Sequence, residues 1–67
     1  MKITLKAARV NAGLTQKAVI KELGISKTTL ANYEKGRTSP DIETGKALAA
    51  LYGASIEDII FLPSNRA

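Results

Sequence analysis

The sequence predicts an all-α domain, a compact five-helix bundle, and three observations carry that prediction. Apolar residues recur at spacings of three and four along the chain, and no stretch sustains the period of two that marks a half-buried strand. Glycines at positions 13, 24, 36 and 53 follow the helical runs, where a left-handed residue ends a helix. Ser, Thr or Asp precedes four of the runs, where a side-chain oxygen can cap the free N–H groups of a first turn.

The elements follow in order. Leu5, Ala8 and Ala12 sit at i, i+3 and i+7 and mark a first amphipathic helix closed at Gly13. Thr15 caps a second helix running to Leu23, with Val19, Ile20 and Leu23 as its apolar positions, and Gly24 ends it. Ile25 is an apolar plug. Ser26 caps a third helix that continues to about Lys35, with Leu30 and Tyr33 facing inward. Gly36 stops it, and residues 37–40 form a polar loop. Asp41 caps a fourth helix carrying Ile42, Leu48, Ala49 and Tyr52 and ending at Gly53. Ser55-Ile56-Glu57-Asp58 has capping-box spacing and opens a short fifth helix before Pro63. Residues 1–62 form the domain and 63–67 a loose tail.

Composition narrows the function. A chain of 67 residues makes one small domain, which buries only about 60% of the surface its unfolded form exposes. An apolar fraction of 45% and a mean hydropathy near zero fit a soluble globular fold. Cys and His are both absent, which excludes disulfides and thiolate metal sites and removes the commonest general base. No apolar run approaches the length of a membrane span, and the N-terminus has no signal-peptide core. Thr44-Gly45-Lys46 is no P-loop, because Pro40 occupies the first glycine position and Ala47 the Ser/Thr position. The acidic pairs Asp41/Glu43 and Glu57/Asp58 stand at helix starts, where they favour the helix dipole. Neither catalysis nor a cofactor nor a small-molecule ligand is expected.

Charge points to the partner. The net charge is +4 and the pI about 9.7, but residues 1–40 carry a net +6 and residues 41–67 a net −2. One face turned to a polyanion explains that split. The segment from Gln16 to Lys35 supplies such a face. Gly24-Ile25-Ser26 is too short to let two helices pack antiparallel, so they cross steeply as in a helix-turn-helix. The outer face of the third helix then presents Lys27, Thr28, Thr29 and Asn32. Asn pairs bidentately with adenine, Lys reaches guanine, and a Thr methyl meets a thymine methyl.

Taken together, Ala8-Arg9, Gly13-Leu14-Thr15-Gln16, Leu23-Gly24-Ile25-Ser26, Thr29-Leu30, Tyr33-Glu34-Lys35-Gly36, Pro40, Leu48-Ala49, Tyr52-Gly53 and Ser55-Ile56-Glu57-Asp58-Ile59 resemble the Cro/C1-type helix-turn-helix family of phage and bacterial repressors. The likeness covers about residues 3–62 and implies a lambda-repressor-like fold. It implies that Gln16 contacts a phosphate and an outer base, and that Lys27, Thr28, Thr29 and Asn32 read base edges. By the same likeness Lys17, Ser26, Lys35, Arg37 and Thr38 lie by the DNA backbone. It also implies a partly buried ion pair between Arg9 and Glu34, two charges that would be costly to bury alone. Family members bind pseudo-palindromic sites as dimers, with half-sites about one helical turn apart.

Three positions depart from the family pattern. Ile20 stands where the second helix usually has Ala or another small residue, so either the crossing widens or Ile20 leans outward. Gly45 stands where Leu is common and costs up to about 1 kcal/mol in helix propensity against Ala. Lys27-Thr28-Thr29 lacks the Gln pair of some phage repressors, so no operator sequence can be borrowed.

The run Ile59-Ile60-Phe61-Leu62 is more apolar than one helix face can bury, and Leu51 falls off the inward stripe of its helix. These residues either complete the core or form a self-complementary patch of Leu51, Ile60 and Leu62 for a C2 homodimer. The sequence therefore describes a sequence-specific regulator of double-stranded DNA, acting as a repressor at a pseudo-palindromic operator. Its expected location is the cytoplasm, encoded by a bacterium or phage and associated with the nucleoid. Two other readings share the fold: an antitoxin-type regulator that also grips a protein, and a protein–protein module using the apolar patch.

Overall fold

A side chain caps the start of each helix in the computed structural model, which describes residues 2–61. The elements are β1 (Ile3–Thr4), α1 (Leu5–Asn11), α2 (Gln16–Leu23), α3 (Lys27–Lys35), α4 (Ile42–Tyr52), a 3-10 turn (Ile56–Asp58) and β2 (Ile59–Ile60). Thr4, Thr15 and Ser26 accept from the backbone N–H three residues on at 3.0–3.1 Å, and Asp41 does so at 2.8 Å. Each such bond satisfies one of the donors a helix leaves free at its start. Accepting hydrogen bonds from the Thr44 backbone and hydroxyl holds the Asp41 carboxyl below its ordinary pKa.

Four α-helices are present among the described residues, not five. The fifth predicted helix is the single 3-10 turn, in which Asp58 N–H donates to Ser55 O at 2.9 Å. Ile59 then turns to extended backbone, at φ −86° and ψ 127°. The β-branched Ile59 and Ile60 pair in parallel with Ile3 and Thr4, which the sequence did not predict. This two-stranded clasp joins the two ends of the described chain across the helices. The domain boundary at residue 62 and the tail at 63–67 lie outside the described residues.

Leu30, Leu48 and Val19 are fully buried at the centre, with Leu5, Ala8, Ala49, Tyr52 and Ile59 around them. Two expected inward positions are not inward. Ala12 is the exposed C-cap of α1, and Ile42, at the first position of α4, is 72% exposed. Leu51 goes the other way, half-buried against the core. Gly45 lies on the face of α4 covered by the 3-10 turn and Phe61. A Cβ placed there would sit 3.5 Å from Ile56 Cδ1 and 3.6 Å from Phe61 Cζ.

Candidate nucleic-acid interface

Only Gly24, Ile25 and Ser26 separate α2 from α3. Gly24 sits at φ +70°, a left-handed conformation costly for any residue with a Cβ, and this sharp turn aims α3 away from α2. The turn keeps Leu30 of α3 at 0% exposure and Tyr33 half-buried. The opposite side of the helix is therefore the side left to solvent. Lys27, Thr28 and Lys35 are exposed there, and Asn32 and Thr29 are half-buried.

A buried ionic network fixes the far end of α3. Arg9 Nε donates to Glu34 Oε2 at 2.6 Å and Arg9 Nη2 to Glu34 Oε1 at 3.4 Å. The side chains are only 10% and 5% exposed, so the pair is largely removed from water. Arg9 Nη1 also donates to Leu14 O at 2.9 Å, and Gln16 Nε2 donates to Glu34 Oε1 at 3.0 Å. Four hydrogen bonds thus tie α1, the loop after it, the first residue of α2 and the last turn of α3. Partners of this number and geometry are what a buried charge pair needs to offset its lost hydration. Tyr52 belongs to the same neighbourhood. Burial pushes its hydroxyl up to about 12, the nearby Glu34 charge adds to the rise, and Arg9 opposes it. Its Oη has no hydrogen-bond partner among the described residues.

The other predicted site residues divide by what already holds them. Ser26 Oγ accepts from Thr29 N–H at 3.0 Å and donates to Thr29 Oγ1 at 2.8 Å, so both hydroxyls serve the helix cap. Gln16 is half-buried with one amide N–H spent on Glu34. Lys17, Arg37 and Thr38 are exposed, the latter two on the loop after α3. Of the apolar patch, Leu51 is packed on the core, Ile60 is 38% exposed and Leu62 lies outside the described residues.

Two open clefts lie along α2 and α3. One of about 430 Å³ lies over the ionic network and is lined by Lys6, Arg9, Gln16, Ala31, Glu34 and Lys35. Lys6 was missed by sequence reasoning. Its signal was its place three residues before Arg9, one turn along the same helix side. The second cleft, of about 370 Å³, is lined by Thr15, Gln16, Lys17, Ile20 and Lys27. Among the described residues no group of His, Cys, Asp or Glu could hold a metal ion, and no helix is long and apolar enough to cross a membrane.

Two capped helices joined by a left-handed glycine, the second with a polar outer face, define a helix-turn-helix protein. The chain belongs to the Helix-turn-helix family, whose profile matches residues 5–59. It is 39% identical over 59 residues to an uncharacterised helix-turn-helix-type transcriptional regulator of Methanocaldococcus jannaschii, covering 88% of this chain and 89% of that one. It is 38% identical over 56 residues to the cryptic phage CTXphi transcriptional repressor RstR of Vibrio cholerae, covering 84% of this chain and 50% of the repressor. A third relative is the helix-turn-helix-type transcriptional regulator ImmR of Bacillus subtilis, 39% identical over 56 residues, or 84% of this chain and 44% of ImmR. The chain therefore spans nearly all of the archaeal relative and half or less of the other two. No solved structure matches the chain.

Proposed function

We propose that the protein is a sequence-specific, double-stranded DNA-binding transcriptional regulator that represses by occluding a promoter. The observation that carries this reading is the fixed, polar and cationic outer face of α3, anchored at its start by the Ser26 cap and at its end by the Arg9–Glu34–Gln16 network. A major groove admits one α-helix, and the base-edge code there is read by residues such as Asn and Lys. Asn32, Thr28 and Lys27 read base edges. Thr29 contributes its methyl, because its backbone N–H and Oγ1 both hydrogen-bond to Ser26. Lys17, Lys35 and Arg37 contact phosphates and supply most of the affinity and its salt dependence. Thr38 and Ser26 lie beside the backbone, and Gln16 sets the register at the edge of the site. Two copies meet on a pseudo-palindromic operator in the cytoplasm. The names of the relatives, all transcriptional regulators and one a phage repressor, support a regulator over an antitoxin or a protein–protein module.

Asn32→Ala and Lys35→Ala separate the two kinds of contact. On a selected operator, Asn32→Ala loses discrimination between operator and random duplex. Lys35→Ala weakens both alike and lowers the salt slope by about one. Identical behaviour of the two variants on both duplexes would overturn the assigned roles.

A further inference from the structure

We propose that Ile20 reads the C5-methyl group of a thymine at the edge of the half-site. The inference rests on the DNA-binding reading and adds a specificity-determining residue on α2, outside the recognition helix. Ile20 is the one apolar side chain lining the cleft between the starts of α2 and α3, among Thr15, Gln16, Lys17 and Lys27. Its neighbour Val19 is completely buried and fills the core at this level, whereas Ile20 only half-enters it. The remaining apolar surface of Ile20 faces an open cleft on the side that carries the uncommitted cations. Lys17 and Lys27 are exposed and have no ion pair among the described residues.

The occupant follows from those chemistries. A duplex presents negative phosphates at its margin and, in the major groove, a single apolar group on a base edge, the thymine methyl. The Lys17 ammonium matches a phosphate at the margin, Lys27 reaches a neighbouring base edge, and the isoleucine between them matches a thymine methyl. Cytosine presents an amino donor and no methyl at this edge, so it leaves the isoleucine without an apolar partner. The Gln16 wall of the cleft is held in place by its bond to Glu34, so the cleft is shaped before DNA arrives.

The test is a scan of the selected operator in which each thymine in turn is replaced by deoxyuridine, removing only the methyl. The affinities of the wild type, Ile20→Val and Ile20→Ala are measured at one salt concentration. One position at the edge of each half-site, apart from any thymine that the Thr29 methyl meets, is expected at which uracil costs the wild type about fourfold, the worth of one buried methyl. The cost shrinks in Ile20→Val and vanishes in Ile20→Ala, which binds both duplexes as the wild type binds the uracil one. Circular dichroism checks that the variants fold, and Ile20→Val decides if Ile20→Ala does not. An operator with no methyl-sensitive position at that edge overturns the proposal and leaves the regulator reading intact, as does the same sensitivity persisting there in Ile20→Ala. A wild type that selects no operator overturns both.

Discussion

Arg9 and Glu34 show how two single residues can decide whether the recognition helix is held at all. Each is buried with the other as its charge partner, so removing one strands the other. Glu34→Ala is expected to cost about 3 kcal/mol, a large part of the stability of a domain this size. Urea unfolding measures it. The double variant Arg9→Met/Glu34→Leu should lose less than Glu34→Ala alone, because it leaves no uncompensated charge in the interior. A double variant worse than the single would mean that the pair acts by something other than mutual neutralisation. The likeness to the Cro/C1-type family is what made the pairing legible in the sequence, and the cost of burying either charge alone agrees with it. Tyr52 was legible as core but not as an orphaned hydroxyl, since no local pattern says which buried oxygen lacks an acceptor.

Two outcomes are expected of that hydroxyl. Tyr52→Phe removes a buried polar atom with no partner among the described residues, and should leave stability unchanged or raise it by up to about 1 kcal/mol. The wild type should weaken at alkaline pH, because the folded pKa of Tyr52 is raised from 10.0 to about 12. A raised folded value means that the stability is fully present below pH 10.0 and is lost as pH rises from there toward 12. Thermal melts across that range should show the decline in the wild type and a smaller one in Tyr52→Phe.

The elements were legible where local chemistry decides them. Thr15, Ser26 and Asp41 start helices, and Gly24, Gly36 and Gly53 end them, because caps and left-handed turns depend on neighbours in sequence. The fifth helix was misread because Ser55-Ile56-Glu57-Asp58 signals a start without guaranteeing a continuation. Pairing of Ile59 and Ile60 with Ile3 and Thr4 competes with that continuation across the whole chain. Strands of two residues are too short to show a period of two, so the pair left no trace in the pattern. Ile42 illustrates a different limit. Periodicity gives the direction of a side chain, but not whether anything stands opposite it at that height, and at the first position of α4 no described residue covers it.

Gly45 is the element-scale test. The space above it accepts a methyl at ordinary contact distance from Ile56 and Phe61. Gly45→Ala should therefore stabilise by about 1 kcal/mol, through helix propensity and a filled contact. For a domain of this size that raises the melting temperature by roughly 4–8 °C. Gly45→Leu, the residue common in the family, should instead destabilise, because Ile56 and Phe61 occupy the space its longer side chain needs. A destabilised alanine variant would mean that the 3-10 turn packs more tightly on α4 than these distances allow.

For the whole molecule, charge and size argue together. The basic first forty residues contain α1, α2 and α3, whereas the acidic remainder contains α4 and the 3-10 turn. Clusters of one sign on one half of a small domain orient it before contact and make its association salt-dependent. The described chain measures 32 Å along its longest axis and carries one recognition helix. Successive major grooves on one side of a duplex lie about 34 Å apart, so reading two of them takes two copies. The charge bias was legible from the sequence. Of the apolar patch suggested by the sequence, Leu51 turns inward, Ile60 is exposed and Leu62 lies outside the described residues.

The measurement that tests this account most directly is selection from a randomised duplex library by the intact chain, repeated at two salt concentrations. The account predicts enrichment of an inverted repeat with half-sites about one helical turn apart, and weaker binding of every sequence at the higher salt. Salt-sensitive binding without enrichment of any sequence would contradict it, because α3 would then hold DNA without reading it.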